Sequence, residues 1–262
     1  MTIDAPGTSI PDSVPYPGSA DSAWDRIPLG VGENGEVAWE PSHAPHLLIA
    51  GAAGSGKSII QRNLFLHALQ HKDQWRFVGI DPKNLEFTPY RTYREVVFGV
   101  GKNFHEISPL LDSLKMELNK RHTAMKEEGA DRFTDLKTPL KALLVVIDLF
   151  PFMLAPKASV RLKDTFSSIA RQGADAGIYL VCDARDIDAE TVPVEFKDAF
   201  ETRIACGRMK EKKSLSILGT DAATRTSANR GRAFIQTRHG EGQEFQGYLS
   251  SLSWADDNLS YI

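Results

Sequence analysis

Apolar residues fall along this chain in two alternating rhythms. Four short runs are apolar at nearly every position: "HLLIAG" (46–51), "WRFVGID" (75–81), "ALLVVID" (142–148) and "IYLVCDA" (178–184). Strands of that kind are buried on both faces, as in a parallel sheet. Between them the apolar positions recur every three or four residues, which predicts helices. In "SIIQRNLFLHALQH" they are Ile59, Ile60, Leu64, Phe65, Ala68 and Leu69. In "HEISPLLDSLKMELNKRHTAMKEEG" they are Ile107, Leu110, Leu111, Leu114, Leu118 and Met125, and Gly129 ends the helix. "RLKDTFSSIARQGADAG" reads as a helix with a frayed end. "TYREVVFGV" and "DAFETRIACG" each predict a further strand. "GRAFIQT" and "EFQGYLS" predict late strands that pair as antiparallel edge elements. Ahead of all these, "IPLGVGENGEVAWE" reads as a hairpin with Asn34-Gly35 as its turn. The fold class is therefore α/β, a mostly parallel sheet covered by helices on both faces.

Composition refines this picture at a few points. Residues 1–23 are rich in Pro, Ser, Gly and Asp and predict a flexible N-terminal tail, which leaves 24–262 as a single domain with an N-terminal hairpin. No internal repeat is present. The formal net charge is -3, which gives no global signal for nucleic acid, although a local or assembled basic surface is compatible with it. Cys182 and Cys206 are the only cysteines, without metal-binding spacing, and read as buried thiols of a reducing compartment. No secretory signal and no 18-residue apolar span occur, so the expectation is a cytoplasmic chain with no direct membrane span.

The chemistry enters at "GAAGSGKS" (51–58), which fits G-x-x-x-x-G-K-[ST] at every fixed position. A strand precedes it and a helix follows, as that motif requires. Backbone amides of such a turn converge on phosphate oxygens, and the helix N-terminus adds partial positive charge. This specifies a P-loop NTPase fold with a RecA-like sheet, with ATP and Mg²⁺ as cofactors. Gly51, Gly54, Ser55, Gly56, Lys57 and Ser58 form the nucleotide cradle, with Lys57 on the β and γ phosphates and Ser58 on the metal. Asp148 ends the most apolar strand. On the reading that this strand neighbours the phosphate-loop strand, it delivers a carboxylate to the same crevice to support Mg²⁺. Lys57 and Asp148 are the catalytic candidates. Asp81 competes with Asp148, but its "DPK" continuation suggests a rim-ordering turn with Lys83. Hydrolysis also needs a group that orients and deprotonates water. Many motor ATPases carry a glutamate directly after the metal-site aspartate; here that position is Leu149. Glu86, Asp183 and Asp186 are the other carboxylates available.

Four stretches together resemble the motor domain of the FtsK/SpoIIIE family of DNA-translocating ATPases, within the FtsK–HerA group: "PHLLIAGAAGSGKS", "FVGIDPKNLEF", "MELNKRHTAMKEEGADRF" and "IARQGADAGIYLVCDAR". The resemblance covers about residues 40–250. It implies ring assembly, in the family as hexamers, and ATP-driven movement of double-stranded DNA. It also implies the roles given above for Lys57, Ser58 and Asp148. Relatives act in chromosome segregation, conjugative transfer and type VII secretion, and the Asp-Pro-Lys motif resembles the DNA-moving and conjugative branches. A membrane-anchored partner follows from the same resemblance, and with it a place at the inner face of the cell membrane. Departures are informative. Leu149 replaces the family's glutamate. Ala174 stands where relatives carry an arginine that is a candidate trans-acting finger, with Arg171 a nearby alternative. "CDARD" (182–186) lacks the usual sensing glutamine. Leu149 and Ala174 support a second reading, a hydrolysis-impaired nucleotide-binding assembly module; a third, a type VII secretion coupling component that recognises a protein substrate for export, stands beside it. "GRMKEKKS" (207–214) is a candidate DNA-phosphate contact or simply a solvated turn.

Overall fold

The computed structural model describes residues 9–18, 23–83, 86–94, 96–101, 104–148, 160–185, 198–238, 240, 242–251 and 253. Leu149 and Asp186 lie outside these residues. In chain order the described elements are strands β1 (Val14–Pro15), β2 (Ile27–Gly32), β3 (Gly35–Trp39) and β4 (Leu47–Gly51), helix α1 (Lys57–Gln70), strands β5 (Trp75–Ile80) and β6 (Val97–Gly101), helix α2 (Phe104–Glu128), strand β7 (Ala142–Ile147), helix α3 (Val160–Gln172), strands β8 (Ile178–Ala184) and β9 (Thr202–Cys206), helix α4 (Glu211–Leu218), and strands β10 (Arg232–Thr237) and β11 (Gln243–Leu249).

All of the strands join one sheet in the order β3-β2-β11-β10-β9-β4-β8-β7-β5-β6, with β1 added to β11. From β9 through β6 the strands run parallel. From β9 to β3 they are antiparallel. This is the mostly parallel, helix-covered sheet of a RecA-like P-loop NTPase. The fully buried runs explain the parallel half: every residue of β4, β7 and β8 is buried. Helix α1 is buried almost all round, and Phe65 stacks on Tyr90 at 4.0 Å between ring centroids. His46 precedes β4 with φ 60; its Nδ1 accepts the Leu180 backbone N–H at 2.9 Å and so fastens β4 to β8. Burial lowers its pKa to about 4, which keeps the ring neutral and able to accept.

Several expectations need correction. The strand ending at Asp148, β7, does not neighbour the phosphate-loop strand: β8 lies between them. Strands β10 and β11 do pair antiparallel, yet they are interior, because the β2–β3 hairpin docks on β11 and forms the edge. The hairpin's two loop residues are Glu33 and Asn34, and Gly35, at φ 102, opens the next strand. The segment at 207–214 is no mere turn, since α4 begins at Glu211. A loose tail does not describe residues 10–16. Val14 and Pro15 pair parallel with Tyr248 and Leu249, and the buried Tyr16 donates its hydroxyl to Gln70 Oε1 at 3.0 Å.

Candidate nucleotide site

The phosphate loop leaves β4 at Gly51 and enters α1 at Lys57. Gly54 and Gly56 take φ of 77 and 106, a left-handed backbone that a side chain would strain and that turns the loop amides inward. Lys57 is buried. Its Nζ donates to Gly51 O at 2.9 Å and to Ala52 O at 3.2 Å, and lies 4.0 Å from Asp183 Oδ1. Ser58 Oγ donates to Glu86 Oε1 at 3.1 Å. Ser55 Oγ and Asp183 Oδ1 are sheltered from solvent without a hydrogen-bond partner among the described residues. Orphaned polar atoms on both sides of a buried lysine are costly unless a polar ligand satisfies them.

The sheet register brings the acids together. Asp183 on β8 is level with Ile49 of β4, and Ile147, next to Asp148, is level with Cys182. Asp148 and Asp183 therefore end side by side. Asp183 is 1% exposed and accepts from Gln61 Nε2 at 3.4 Å. Burial, chiefly, pushes its pKa up to about 7; Lys57 opposes that rise and Asp148 and Glu86 add to it. Asp148 is half-buried, and desolvation followed by repulsion from Asp81 and Glu86 raises it to about 6. Asp81 is occupied otherwise. Its carboxylate accepts the backbone N–H groups of Lys83 (3.2 Å), Glu86 (2.7 Å) and Phe87 (3.2 Å), so it shapes the turn that presents Glu86.

Three of the acids thus have distinct placements: Glu86 on Ser58, Asp148 beside Asp183, and Asp183 against Lys57 and Gln61. Sequence reasoning held Asp183 among three alternatives and did not single out Gln61. The available signal was an acid inside the otherwise apolar "IYLVCDA" and a glutamine on the loop-proximal turn of an apolar helix.

A magnesium ion fits this donor set. A hydroxyl from Ser58 and hard carboxylate oxygens from Asp148, with Glu86 close by, are the ligand types Mg²⁺ takes. Their mutual repulsion, visible in the raised Asp148 pKa, is relieved by a cation. Among the described residues no three His, Cys, Asp or Glu side chains converge into a full protein cage.

The finger candidates lie elsewhere. Arg171 is exposed in the last turn of α3 and Ala174 is in the turn before β8, at the sheet edge opposite the loop. An arginine there lies at the opposite end of the strands from this chain's own phosphate loop. Exposed Arg208, Lys210, Lys212 and Lys213 follow β9 on the loop's side of the sheet.

A model of the FtsK/SpoIIIE family matches residues 17–148. The DNA translocase FtsK of Streptococcus pneumoniae is 25% identical over 216 residues, covering 76% of this chain and 28% of that protein. FtsK of Staphylococcus aureus is 23% identical over 262 residues, covering 91% of this chain and 32% of that protein. The chain thus spans about a third or less of the relatives' length. Among solved structures, the pCW3 conjugation coupling protein TcpA, in a monomer form with ATPγS, superposes with a TM-score of 0.84 at 24% identity, covering 96% of this chain and 73% of that one. The cytoplasmic domain of the Thermomonospora curvata type VII secretion ATPase EccC gives 0.75 at 21% identity, covering 95% and 31%. At these identities the superpositions show a shared fold.

Proposed function

The chain belongs to the FtsK/SpoIIIE family, and from that premise we propose that it is an ATP-hydrolysing motor domain that drives or couples the transfer of double-stranded DNA. The observation that carries this reading is the phosphate loop with Lys57 and Ser58 facing Glu86, Asp148 and Asp183 across one crevice. On this reading Gly51, Gly54, Ser55, Gly56, Lys57 and Ser58 cradle the triphosphate. Ser58 and Asp148 hold Mg²⁺, which when bound neutralises phosphate charge. Lys57 leaves the loop carbonyls to stabilise charge on the transferred phosphoryl group. Water attacks in line, and Asp183, which titrates near neutrality, is the carboxylate suited to accept its proton.

The motor acts in a ring, a hexamer by analogy with the family. Arg171 or a residue near it reaches the neighbouring subunit's site. DNA contacts are largely to phosphate and so independent of sequence. The ring works in the cytoplasm, at the inner face of the membrane where an anchored partner recruits it. Among the described residues no helix is long and apolar enough to cross a membrane.

A second reading, an assembly module that binds ATP and turns it over slowly or not at all, is favoured by Leu149 and Ala174. Losing a general base harms the transition state more than ground-state binding. Steady-state ATP hydrolysis with and without double-stranded DNA separates the two. The motor predicts DNA-stimulated turnover that Lys57→Ala abolishes. Tight ATP binding with background turnover in both conditions would refute it.

A further inference from the structure

Helix α1 buries three polar side chains besides Lys57: Gln61, Asn63 and His67. Asn63 serves the fold. Its Nδ2 donates to Tyr248 O at 2.9 Å and its Oδ1 accepts from the Ser250 hydroxyl. His67 Nε2 lies 2.8 Å from Trp24 O. Gln61 has a different kind of partner. It is 1% exposed, and among the described residues its side chain makes one hydrogen bond, from Nε2 to Asp183 Oδ2 at 3.4 Å. Its Oε1 has no hydrogen-bond partner among them, and neither has Asp183 Oδ1. Burying a half-satisfied amide is costly, and an apolar side chain of the same length would avoid that cost. Core packing therefore does not account for Gln61.

Its position does. Gln61 follows Lys57 by four residues, so the two share a face of α1. Asp183 meets both there, with Oδ1 4.0 Å from Lys57 Nζ and Oδ2 at the Gln61 amide. A hydrogen bond of 3.4 Å is long, which leaves the amide free to turn. A primary amide offers donors on its nitrogen and an acceptor on its oxygen, in nearly the same outline. Turned one way it donates to a carboxylate. Turned the other it accepts the O–H of a carboxylic acid. The Lys57 ammonium can only donate.

We propose that Gln61 is the positioning residue for Asp183, holding its carboxyl in one place before and after it takes a proton from the attacking water. The inference rests on the reading of Asp183 as the proton acceptor and extends it to a residue outside the phosphate cradle. In that step the water oxygen bonds to the γ phosphorus. The bond from that phosphorus to the β–γ bridging oxygen breaks, with its electron pair going to ADP, and the water proton passes to Asp183. Nε2 of Gln61 steadies the carboxylate beforehand. Oε1 then receives the new O–H, so the amide oxygen that lacks a partner in the resting site gains one as the acid forms. Gln61 acts through Asp183 alone.

The test is a double-mutant cycle in steady-state ATP hydrolysis by the full chain with Mg²⁺ and double-stranded DNA. Gln61→Met keeps the length and removes the amide. It should lower kcat about tenfold and leave KM for ATP within about twofold. In the Asp183→Asn background the same change should alter kcat by less than about twofold. A packing role predicts the same loss in both backgrounds. Equal losses, a loss confined to KM, or an unchanged kcat in Gln61→Met overturn the inference while Asp183 stands as the acceptor. Wild-type turnover at background, or turnover that Asp183→Asn leaves intact, overturns the reading of Asp183 and this inference with it. If Gln61→Met does not fold, the Gln61 side-chain amide decides by nitrogen–proton NMR. Lys57, Asp148, Glu86 and Arg185 also face the Asp183 carboxyl, so the control is Asp183→Asn. The amide signals should shift between about pH 5 and about pH 9 in wild type and stay fixed in Asp183→Asn. Signals that behave alike in the two proteins overturn the inference.

Discussion

Asp183 concentrates the chemistry of this site at the scale of one residue. It is buried, it faces Lys57 and Gln61, and burial pushes its pKa up from 3.8 to about 7. The folded state therefore holds a proton that the unfolded chain has already released between pH 4 and 7. Stability falls as pH rises through that window, and the full cost is present above pH 7. Asp183→Asn should raise stability at pH 8, by about 2 kcal/mol after allowance for the lost Lys57 contact, and the gain should shrink toward pH 5. Urea melts at the two pH values check this. The same variant should flatten the near-neutral limb of the turnover profile if Asp183 accepts the proton. Leu149→Glu tests the complementary point: an assembled protein that gains turnover identifies the missing glutamate as limiting, and unchanged turnover assigns the limit elsewhere. The cradle was legible in the sequence because its function lies in backbone conformation, which fixes glycine at Gly54 and Gly56 and hence a readable spacing. Asp183 and Gln61 were not singled out, because one acid and one amide become a pair only when β8 is set beside β4.

At the scale of elements, runs such as "ALLVVID" and "IYLVCDA" announced strands at nearly their true bounds, since burial on both faces leaves an unbroken apolar record. Their order across the sheet did not appear in the sequence. Inserting β8 between β4 and β7 depends on crossovers, and no local pattern encodes those. Helix α1 illustrates the reverse difficulty. Its apolar stripe was plain, yet Asn63, whose Nδ2 donates to Tyr248 O at 2.9 Å, and His67, whose Nε2 lies 2.8 Å from Trp24 O, are also buried. Each of these two nitrogens meets backbone far away in the chain. Helix α2 packs its apolar face, Ile107, Leu111, Leu114, Leu118 and Met125, into the core and adds a buried polar clamp. Arg121, 3% exposed, donates to Ala176 O (2.8 Å), Lys141 O (2.7 Å) and Glu117 Oε1 (2.9 Å), tying the helix to the starts of β7 and β8. A lysine cannot make this fork. Arg121→Lys should cost about 2–4 kcal/mol in a denaturant melt. ATP affinity should be unchanged, because the clamp lies at the sheet edge opposite the loop.

For the whole molecule, a net charge of -3 means that, on the proposed function, DNA would have to be met by local charge. Exposed Lys210 and Lys212, with Arg208 and Lys213, are the candidate patch on the loop's side of the sheet. Replacing Lys210, Lys212 and Lys213 by Glu should remove most DNA stimulation and leave basal turnover. In wild type, stimulation should fall steeply as salt rises from about 50 to 200 mM. Both are read from ATPase assays at fixed DNA concentration. The sheet's connectivity also sets the timing of the protein's manufacture. On the ribosome the β2–β3 hairpin emerges well before its partner β11, the last of the described strands in sequence. Strand β4 likewise waits for β8 and β9 before either flank is covered. Until these partners are made the nascent domain thus displays unpaired strand edges, which are hazards for aggregation. Chaperone demand should accordingly persist until residues 243–249 clear the exit tunnel, and a chain stopped before them should stay bound to a holdase.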